Sequence, residues 1–402
     1  MRLALALLTG LAVAAIARAD VALPPPATLE VTSQQLANGL TVVIHADPTV
    51  SSVAIALRYD LGPDDPAHAG YAHLVERLAQ QGTVHTKPGE FDRRIDEAGG
   101  FTTSTVDADG IRFGDNVPAG ALELALFLEA ERMAGLADGL TDAGLTAARD
   151  AIDAEYKAAY VDEPYALVER EVDHALWGAA RDVLADKATL AKATRDSVRG
   201  YIRQRLVPAN ATLAITGHID AMRALDLAKK YFGWIPPGSR IIRPSTPVER
   251  LASPVSRSAQ DPNGRHVVAY RTNARGAEDE IAVEVAARVI ATGDVQYEIV
   301  HSATGGALRF VSASPLSAND IEKKLATAVT EDAVRKAATE LELDQLLALE
   351  GLPYRADALA SGLHYERRLA VLNTIISETV KRSATYWLAT SAAVTVNAES
   401  KP

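Results

Sequence analysis

Hydrophobic and polar positions along the chain form two successive series of predicted strands and helices. In the first series, residues 53–59 alternate between the two faces of a strand, and residues 119–135 repeat apolar side chains at helical spacing. The same criteria predict further strands within 36–44 and at 101–106, 110–116 and 211–217, and helices at 71–80, 91–98, 142–161 and 221–232.

The second series repeats the mixture of strands and helices. Its predicted elements are a strand at 266–271, a helix at 278–291, strands within 295–312, and helices at 318–340, 343–349 and 355–378. Strands and helices do not alternate strictly enough to require a parallel sheet. We therefore predict an α+β fold with two sandwiches, each with helices packed on one face of a mixed or antiparallel sheet.

A proline-rich stretch separates the two series. Residues 234–255 contain five prolines and discourage both helix and sheet. We predict an N-terminal domain at 20–235, a linker at 236–255 and a shorter C-terminal domain at 256–402.

The first 19 residues have the layout of a secretory signal. Arg2 is followed by an apolar stretch over 3–16 and by Ala17-Arg18-Ala19, which fits an A-x-A cleavage site. The apolar stretch is short for a membrane span. We expect cleavage after Ala19, a mature chain without a stable membrane span, and a periplasmic or secreted bacterial location. An uncleaved N-terminal anchor is the alternative.

Charge and cysteine content narrow the chemistry. The 402 residues carry a formal net charge of -11 and show no basic cluster, which argues against nucleic-acid binding. The chain has no cysteine, which excludes disulfides, thiol nucleophiles and cysteine-ligated metals. Any metal would have to be held by histidines and carboxylates.

A short helix carries the most informative residues. His73, Glu76 and Arg77 are spaced i, i+3 and i+4, so they share one helix face. In the inverted zinc-peptidase motif H-x-x-E-H, two histidines bind zinc and the glutamate is the general base. Here Arg77 stands where the second histidine belongs. An isolated H-x-x-E is a weak signal and is most often a solvated helix face.

The context of this helix strengthens the signal. With their spacing, the surrounding segments resemble the insulinase/pitrilysin family of zinc metallopeptidases, which includes mitochondrial processing peptidases and bacterial relatives. The resemblance extends over about 36–238 and continues faintly to 399. The segments that carry it are Gln81-Gly82-Thr83, Gly89-Glu90-Phe91, Glu97-Ala98-Gly99-Gly100, Leu128-Glu129-Ala130-Glu131-Arg132-Met133, Pro208-Ala209-Asn210 and Tyr231-Phe232-Gly233-Trp234.

The resemblance implies a fold and a set of site positions. It implies two homologous α+β halves that close like a clam shell around a peptide. It places the third zinc ligand on Glu155 and the substrate-binding asparagine on Thr103. A frequent acidic position seven residues before Glu155 falls on Ala148.

Arg77 puts the zinc chemistry in doubt. A catalytic zinc needs three protein ligands and a water, and a guanidinium has no lone pair to offer. Only His73 and Glu155 remain as ligand positions. We expect Arg77 to form a salt bridge with Glu155 where zinc would lie, and Glu76 to have no catalytic role. We expect no cofactor to be bound, and zinc would be bound only if the degenerate site still holds a metal ion.

Three functions remain open at this stage. The first is a non-catalytic subunit that forms a heterodimer with an intact-motif relative and helps to hold an extended peptide. The second is an active zinc endopeptidase that completes its site with His68, His85 or a water. The third is a stand-alone peptide-binding or scaffold protein of the cell envelope. The acidic residues within 122–132 are expected to form a solvated helix face.

Overall fold

The computed structural model of the chain describes residues 29–61, 66–162, 166–178, 184–185, 187–242, 248–362 and 365–399. The predicted signal at 1–19 lies outside these residues. Within the described ranges, no helix is both long and apolar enough to cross a membrane.

A six-stranded mixed sheet organises the first half, with the strand order β1-β2-β6-β3-β5-β4. Strand β2 runs parallel to β6, and the other neighbouring strands are antiparallel. The strands are β1 (Val31–Gln35), β2 (Thr41–Ala46), β3 (Ser52–Asp60), β4 (Phe101–Val106), β5 (Gly110–Pro118) and β6 (Ala211–Gly217).

Helices of the first half pack mainly on one face of this sheet. Leu57 of β3 joins Leu74 and Leu126 of two of these helices in one apolar core. The described helices are α1 (Tyr71–Leu78), α2 (Glu90–Glu97), α3 (Leu122–Gly139), α4 (Asp142–Lys157), α5 (Leu167–Trp177), α6 (Lys187–Leu190), α7 (Arg195–Arg205) and α8 (Ala221–Phe232).

The second half has a five-stranded sheet with the order β7-β11-β8-β10-β9. Its strands are β7 (Val255–Gln260), β8 (His266–Thr272), β9 (Gln296–His301), β10 (Gly306–Ser312) and β11 (Val394–Glu399). Its helices are α9 (Glu280–Ile290), α10 (Ala318–Ala328), α11 (Glu331–Glu350), α12 (Leu352–Ala360), α13 (Tyr365–Thr374) and α14 (Ser377–Trp387). Two mixed sheets with packed helices confirm the predicted α+β class.

Each half supplies a helix that covers the sheet of the other half. Helix α12 of the second half packs on the first sheet, where Ala356 meets Ala54 and Ala56 of β3 and Ala214 of β6. The alternation of residues 53–59 suggested a half-buried strand, but β3 is buried on both faces because α12 covers its outer face.

Helix α5 makes the reciprocal contact. Val168, Val172 and Leu176 of α5 are fully buried against the second sheet, which presents Val394 and Val396 of β11. Separating the halves would expose both apolar contacts to water. The halves therefore pack against each other through two buried apolar contacts.

Polar contacts reinforce the packing between the two halves. Arg355 of α12 is buried, and its Nη1 lies 2.7 Å from Asp47 Oδ2 at the end of β2. Arg309 of β10 lies 2.6 Å from Asp173 of α5. In the turn after β4, Asp109 accepts a hydrogen bond from the backbone of Ala303 in the second half, at 2.9 Å.

The helix boundaries of the second half differ from the predicted ones. The predicted helix at 318–340 is two helices, because the Thr330 side chain accepts from Ala333 N and caps α11. The predicted helix at 343–349 is part of α11. The predicted helix at 355–378 contains most of α12, all of α13 and the start of α14.

Candidate functional site

Helix α1 begins at a glycine that no other residue could replace easily. Gly70 has φ +75°, and a Cβ added there would lie 2.4 Å from Ala185 Cβ. The helix then places His73, Glu76 and Arg77 on one face, as the spacing predicted. His73 and Glu76 are buried, whereas Arg77 is partly exposed.

Glu155 reaches this face from helix α4, which packs against α1. His73 Nε2 lies 3.1 Å from Glu155 Oε2, and Arg77 Nε lies 2.9 Å from Glu155 Oε1. Arg77 Nε is also 3.2 Å from His73 Nε2. The Glu155 carboxylate therefore faces both the imidazole and the guanidinium. The guanidinium in turn lies next to His73 Nε2 and Glu155 Oε1.

Glu76 is fixed on its other side by the edge strand β4. Its Oε2 is 3.6 Å from His73 Nε2, and its Oε1 accepts a hydrogen bond of 2.6 Å from Ser104 Oγ. Sequence reasoning missed Ser104. The signal for it was the alternation along 101–106, which puts residues 102 and 104 on the face opposite residue 103.

Thr103 lies away from this cluster. Its hydroxyl donates to Gly114 O at 3.4 Å and accepts from Arg112 Nη1 at 3.3 Å. Arg112 also donates to Thr105 and lies 3.1 Å from Asp357 of α12. The structure therefore does not bring the Thr103 side chain together with His73 and Glu155.

The two alternative histidines lie against other side chains. His85 Nδ1 is 3.1 Å from Glu131 of α3. His68 packs against Tyr71 and Tyr201, with ring centroids 4.9 and 5.4 Å away. Among the side chains that the structure describes, no group of three histidines or carboxylates is arranged to hold a metal ion.

Of the three acidic residues within 122–132, Glu123 is exposed as expected, whereas the other two are not solvated. Glu129 and Glu131 are buried, and Glu129 lies 2.6 Å from Arg132 Nη1. The Arg132 guanidinium stacks on Phe91 and Phe113 at 3.9 and 4.1 Å from the ring centroids. For Glu129 the expectation was wrong because the buried guanidinium of Arg132 requires a carboxylate partner on the same side of the helix.

A second carboxyl group completes this buried network. Burial, together with the negative charge of Glu129, raises the pKa of Asp115 well above its ordinary value. Burial also raises the pKa of Glu129, although Arg132 opposes that shift. Two carboxyl groups thus face one guanidinium in the core behind the site.

The edge of the first sheet lies beside the cluster. Strand β4 pairs with β5 alone in that sheet, so its outer backbone edge has no strand partner among the described residues. Phe101 at its start is 47% exposed. Such an edge can pair with the backbone of an extended peptide.

Solved structures share this architecture. A protease from Helicobacter pylori superposes with a TM-score of 0.81 at 17% identity, covering 93% of this chain and all of that one. A peptidase M16 inactive domain from Pseudomonas fluorescens gives 0.76 at 16% identity, covering 93% and 98%. The periplasmic protease PqqL from Escherichia coli gives 0.73 at 15% identity, covering 93% of this chain and 48% of PqqL. The fold is therefore that of two-domain M16-like peptidases.

Sequence comparisons identify the family. The model described as Insulinase (Peptidase family M16) matches residues 41–184, and the one described as Peptidase M16 inactive domain matches 192–334. The mitochondrial-processing peptidase subunit beta of Blastocladiella emersonii is 22% identical over 422 residues, covering 92% of this chain and 90% of that protein. Zinc protease PqqE of Helicobacter pylori is 21% identical, covering 65% and 61%. The chain belongs to the insulinase family.

Proposed function

We propose that this chain is a non-catalytic insulinase-family subunit that helps an active zinc peptidase of the cell envelope to hold an extended peptide. The observation that carries the proposal is the pairing of Arg77 with Glu155, 2.9 Å apart, at the position of the missing histidine.

The side chains present do not fit a catalytic zinc. The guanidinium of Arg77 offers no lone pair to a metal ion. Its Nε lies within 3.2 Å of both His73 Nε2 and a Glu155 oxygen, which are the atoms that would have to bind the metal. A zinc ion there would be repelled by the guanidinium and would have two protein ligands where three are needed.

The surroundings of Glu76 are also consistent with a non-catalytic site. Glu76 is buried and accepts a hydrogen bond from Ser104, so no metal-bound water is needed to satisfy it. We infer that the cluster now joins α1 to α4 through charge pairs and α1 to β4 through the Ser104 hydrogen bond. That leaves the rigid edge of β4 to hold a peptide.

A partner and an envelope location are supported by the relatives. The Blastocladiella relative is named as one subunit of a processing peptidase, and this chain spans about half the length of PqqL. PqqL is described as periplasmic, and residues 1–19 of this chain have the layout of a secretory signal. We propose a heterodimer with an intact-motif relative.

Metal analysis of the purified protein tests the central step. We expect zinc far below one ion per chain in the wild type, and increased zinc binding in Arg77→His because a third ligand then joins His73 and Glu155. Arg93→His, on an exposed pair with Glu97, is the matched control and should bind no more zinc than wild type. Near-stoichiometric zinc in wild type that is lost in His73→Ala would overturn the proposal in favour of an active enzyme.

Co-purification tests the partner. The mature chain, mixed at micromolar concentration with a relative that keeps H-x-x-E-H, should elute as a larger complex and change that relative's peptide cleavage. If the chain elutes alone and binds peptide without any partner, it acts as a stand-alone binding protein instead.

A further inference from the structure

We infer that Tyr156 and Tyr160, together with Arg170, form a recognition surface for an aromatic side chain of the bound peptide. This inference rests on the proposed peptide-holding function and names the side chain that the site prefers.

The backbone changes its winding where these tyrosines lie. Helix α4 ends at Lys157 and continues as a five-residue π-helix over Ala158–Asp162. A π-helical turn is rare and occurs frequently at functional sites. Tyr156 and Tyr160 are four residues apart and lie next to each other at this point, with ring centroids 5.0 Å apart and ring planes at 73°. Both tyrosines are partly exposed, and neighbouring Val161 is 62% exposed.

Arg170 of helix α5 fixes the two rings. Its guanidinium carbon lies 4.8 Å from the Tyr160 ring centroid and 5.6 Å from that of Tyr156. Its Nη1 donates a hydrogen bond of 3.2 Å to the Tyr156 hydroxyl. Helix α5 is itself anchored through Val168 and Val172 on the second sheet. The rings are therefore held in place before a ligand arrives, which lowers the entropy lost on binding.

The tyrosines are continuous with the proposed peptide edge. Contacts run from Ser104 on β4 to Glu76, from Glu76 to His73, and from His73 to Glu155. Tyr156 directly follows Glu155 in the chain. This series of contacts links the edge of β4 to the helix that carries the tyrosines, and the inference places a side chain of the peptide held on that edge against the two rings.

The chemistry of the surface selects the side chain. Two rings in edge-to-face contact can accept a third ring, which adds roughly two- to tenfold in affinity beyond the buried area. The positive charge of Arg170 beside the rings disfavours lysine or arginine at the same place. A leucine fills similar space without the ring contact. The expected order of preference is Phe over Leu over Lys.

Fluorescence anisotropy with labelled peptides tests this order. The probe is a short Ala/Thr-rich peptide with one central residue, Phe, Leu or Lys in turn, added to the full-length mature chain. We expect the wild type to bind the Phe peptide roughly two- to tenfold more tightly than the Leu peptide. The double variant Tyr156→Leu, Tyr160→Leu should lose this preference while still binding the Leu peptide.

Matched variants separate a ring effect from a folding effect. The Tyr156→Phe, Tyr160→Phe variant keeps both rings and should keep the preference. Tyr386→Leu is the control, because Tyr386 is also exposed and stacked by an arginine, Arg250 at 4.8 Å, but lies on α14. Equal binding of all three peptides to wild type, or a preference that survives in the double Leu variant, would overturn the inference alone. Absence of saturable binding for every peptide, with and without the intact-motif relative, would overturn the proposed function as well.

Discussion

Arg77 lies between His73 and Glu155, the two positions that the family resemblance proposed as zinc ligands. The convergence of His73, Glu76 and Arg77 could be predicted from the sequence because helical spacing alone puts them on one face. Glu155 is 78 residues from Arg77, and only the family resemblance pointed to it. The alternation of β4 places Ser104 on the face opposite residue 103, but its contact with Glu76 could not be predicted, because that contact depends on how β4 packs against α1.

The buried carboxyl pair behind the site makes stability depend on pH. Because the pKa of Asp115 is raised in the folded chain, the native state holds a proton that the unfolded chain releases above about pH 4. The contribution of Asp115 to stability should therefore be lost as pH rises from about 4 towards neutrality. The Asp115→Asn variant cannot titrate, so its urea midpoint should fall less over the same range.

The matched control for this prediction is Asp96→Asn, on the exposed face of α2. It should retain the wild-type slope of stability against pH. A slope in Asp115→Asn that equals the wild-type slope would show that the buried pair does not hold the proton.

At the scale of elements, helix α12 depends on a buried ion pair. Hydrogen bonds from Thr49 and then from Arg355 lower the pKa of Asp47 to about 2. The Arg355→Met variant leaves Asp47 near a buried site without its cation and should destabilise the protein by roughly 3 kcal/mol at neutral pH. Urea denaturation would measure this loss, and Arg382→Met on the exposed face of α14 should change stability by less than about 0.5 kcal/mol.

The same pair predicts an acid dependence. A lowered pKa contributes stability above the ordinary value of 3.8, and that contribution is lost as pH falls towards about 2. The difference between wild type and Arg355→Met should therefore narrow below about pH 4. A constant difference down to the lowest measurable pH would contradict the assigned role of Asp47.

Elements with a clear period were predictable, and elements defined by distant contacts were not. Strands β5 and β6 and helices α8 and α9 lie within two residues of their predicted bounds. Strand β1 was missed because all five of its residues are exposed and it has no apolar face. Strand β11 and helix α5 were missed, and their apolar residues belong to one cluster that lies between the two halves and includes residues of β7, β8 and β10.

Strand β7 of the second sheet shows how the residue types of a strand depend on its place in the sheet. Strand β7 lies at one edge of the second sheet and, among the described strands, pairs with β11 alone. Consistent with this, Ser256, Arg257 and Ser258 of β7 are exposed and polar. Polar residues on an edge strand also discourage pairing with other chains.

At the scale of the whole molecule, α5 and α12 each pack on the sheet of the other half, and this packing couples the stability of the two halves. Ala356 is fully buried between α12 and the first sheet, although it belongs to the second half. Ala356→Asp would bury an unpaired carboxylate there, at a cost of several kcal/mol. Because α12 continues directly from α11 of the second core, both halves should lose stability together.

Calorimetry should show one transition at a lower temperature, and hydrogen exchange should show lost protection in both β3 and β8. Ala326→Asp, on the exposed face of α10, should leave both measurements close to wild type. Two separate transitions in the variant, with β8 still protected, would mean that the halves fold independently. In that case α5 and α12 would contribute little to the stability of the sheets they cover.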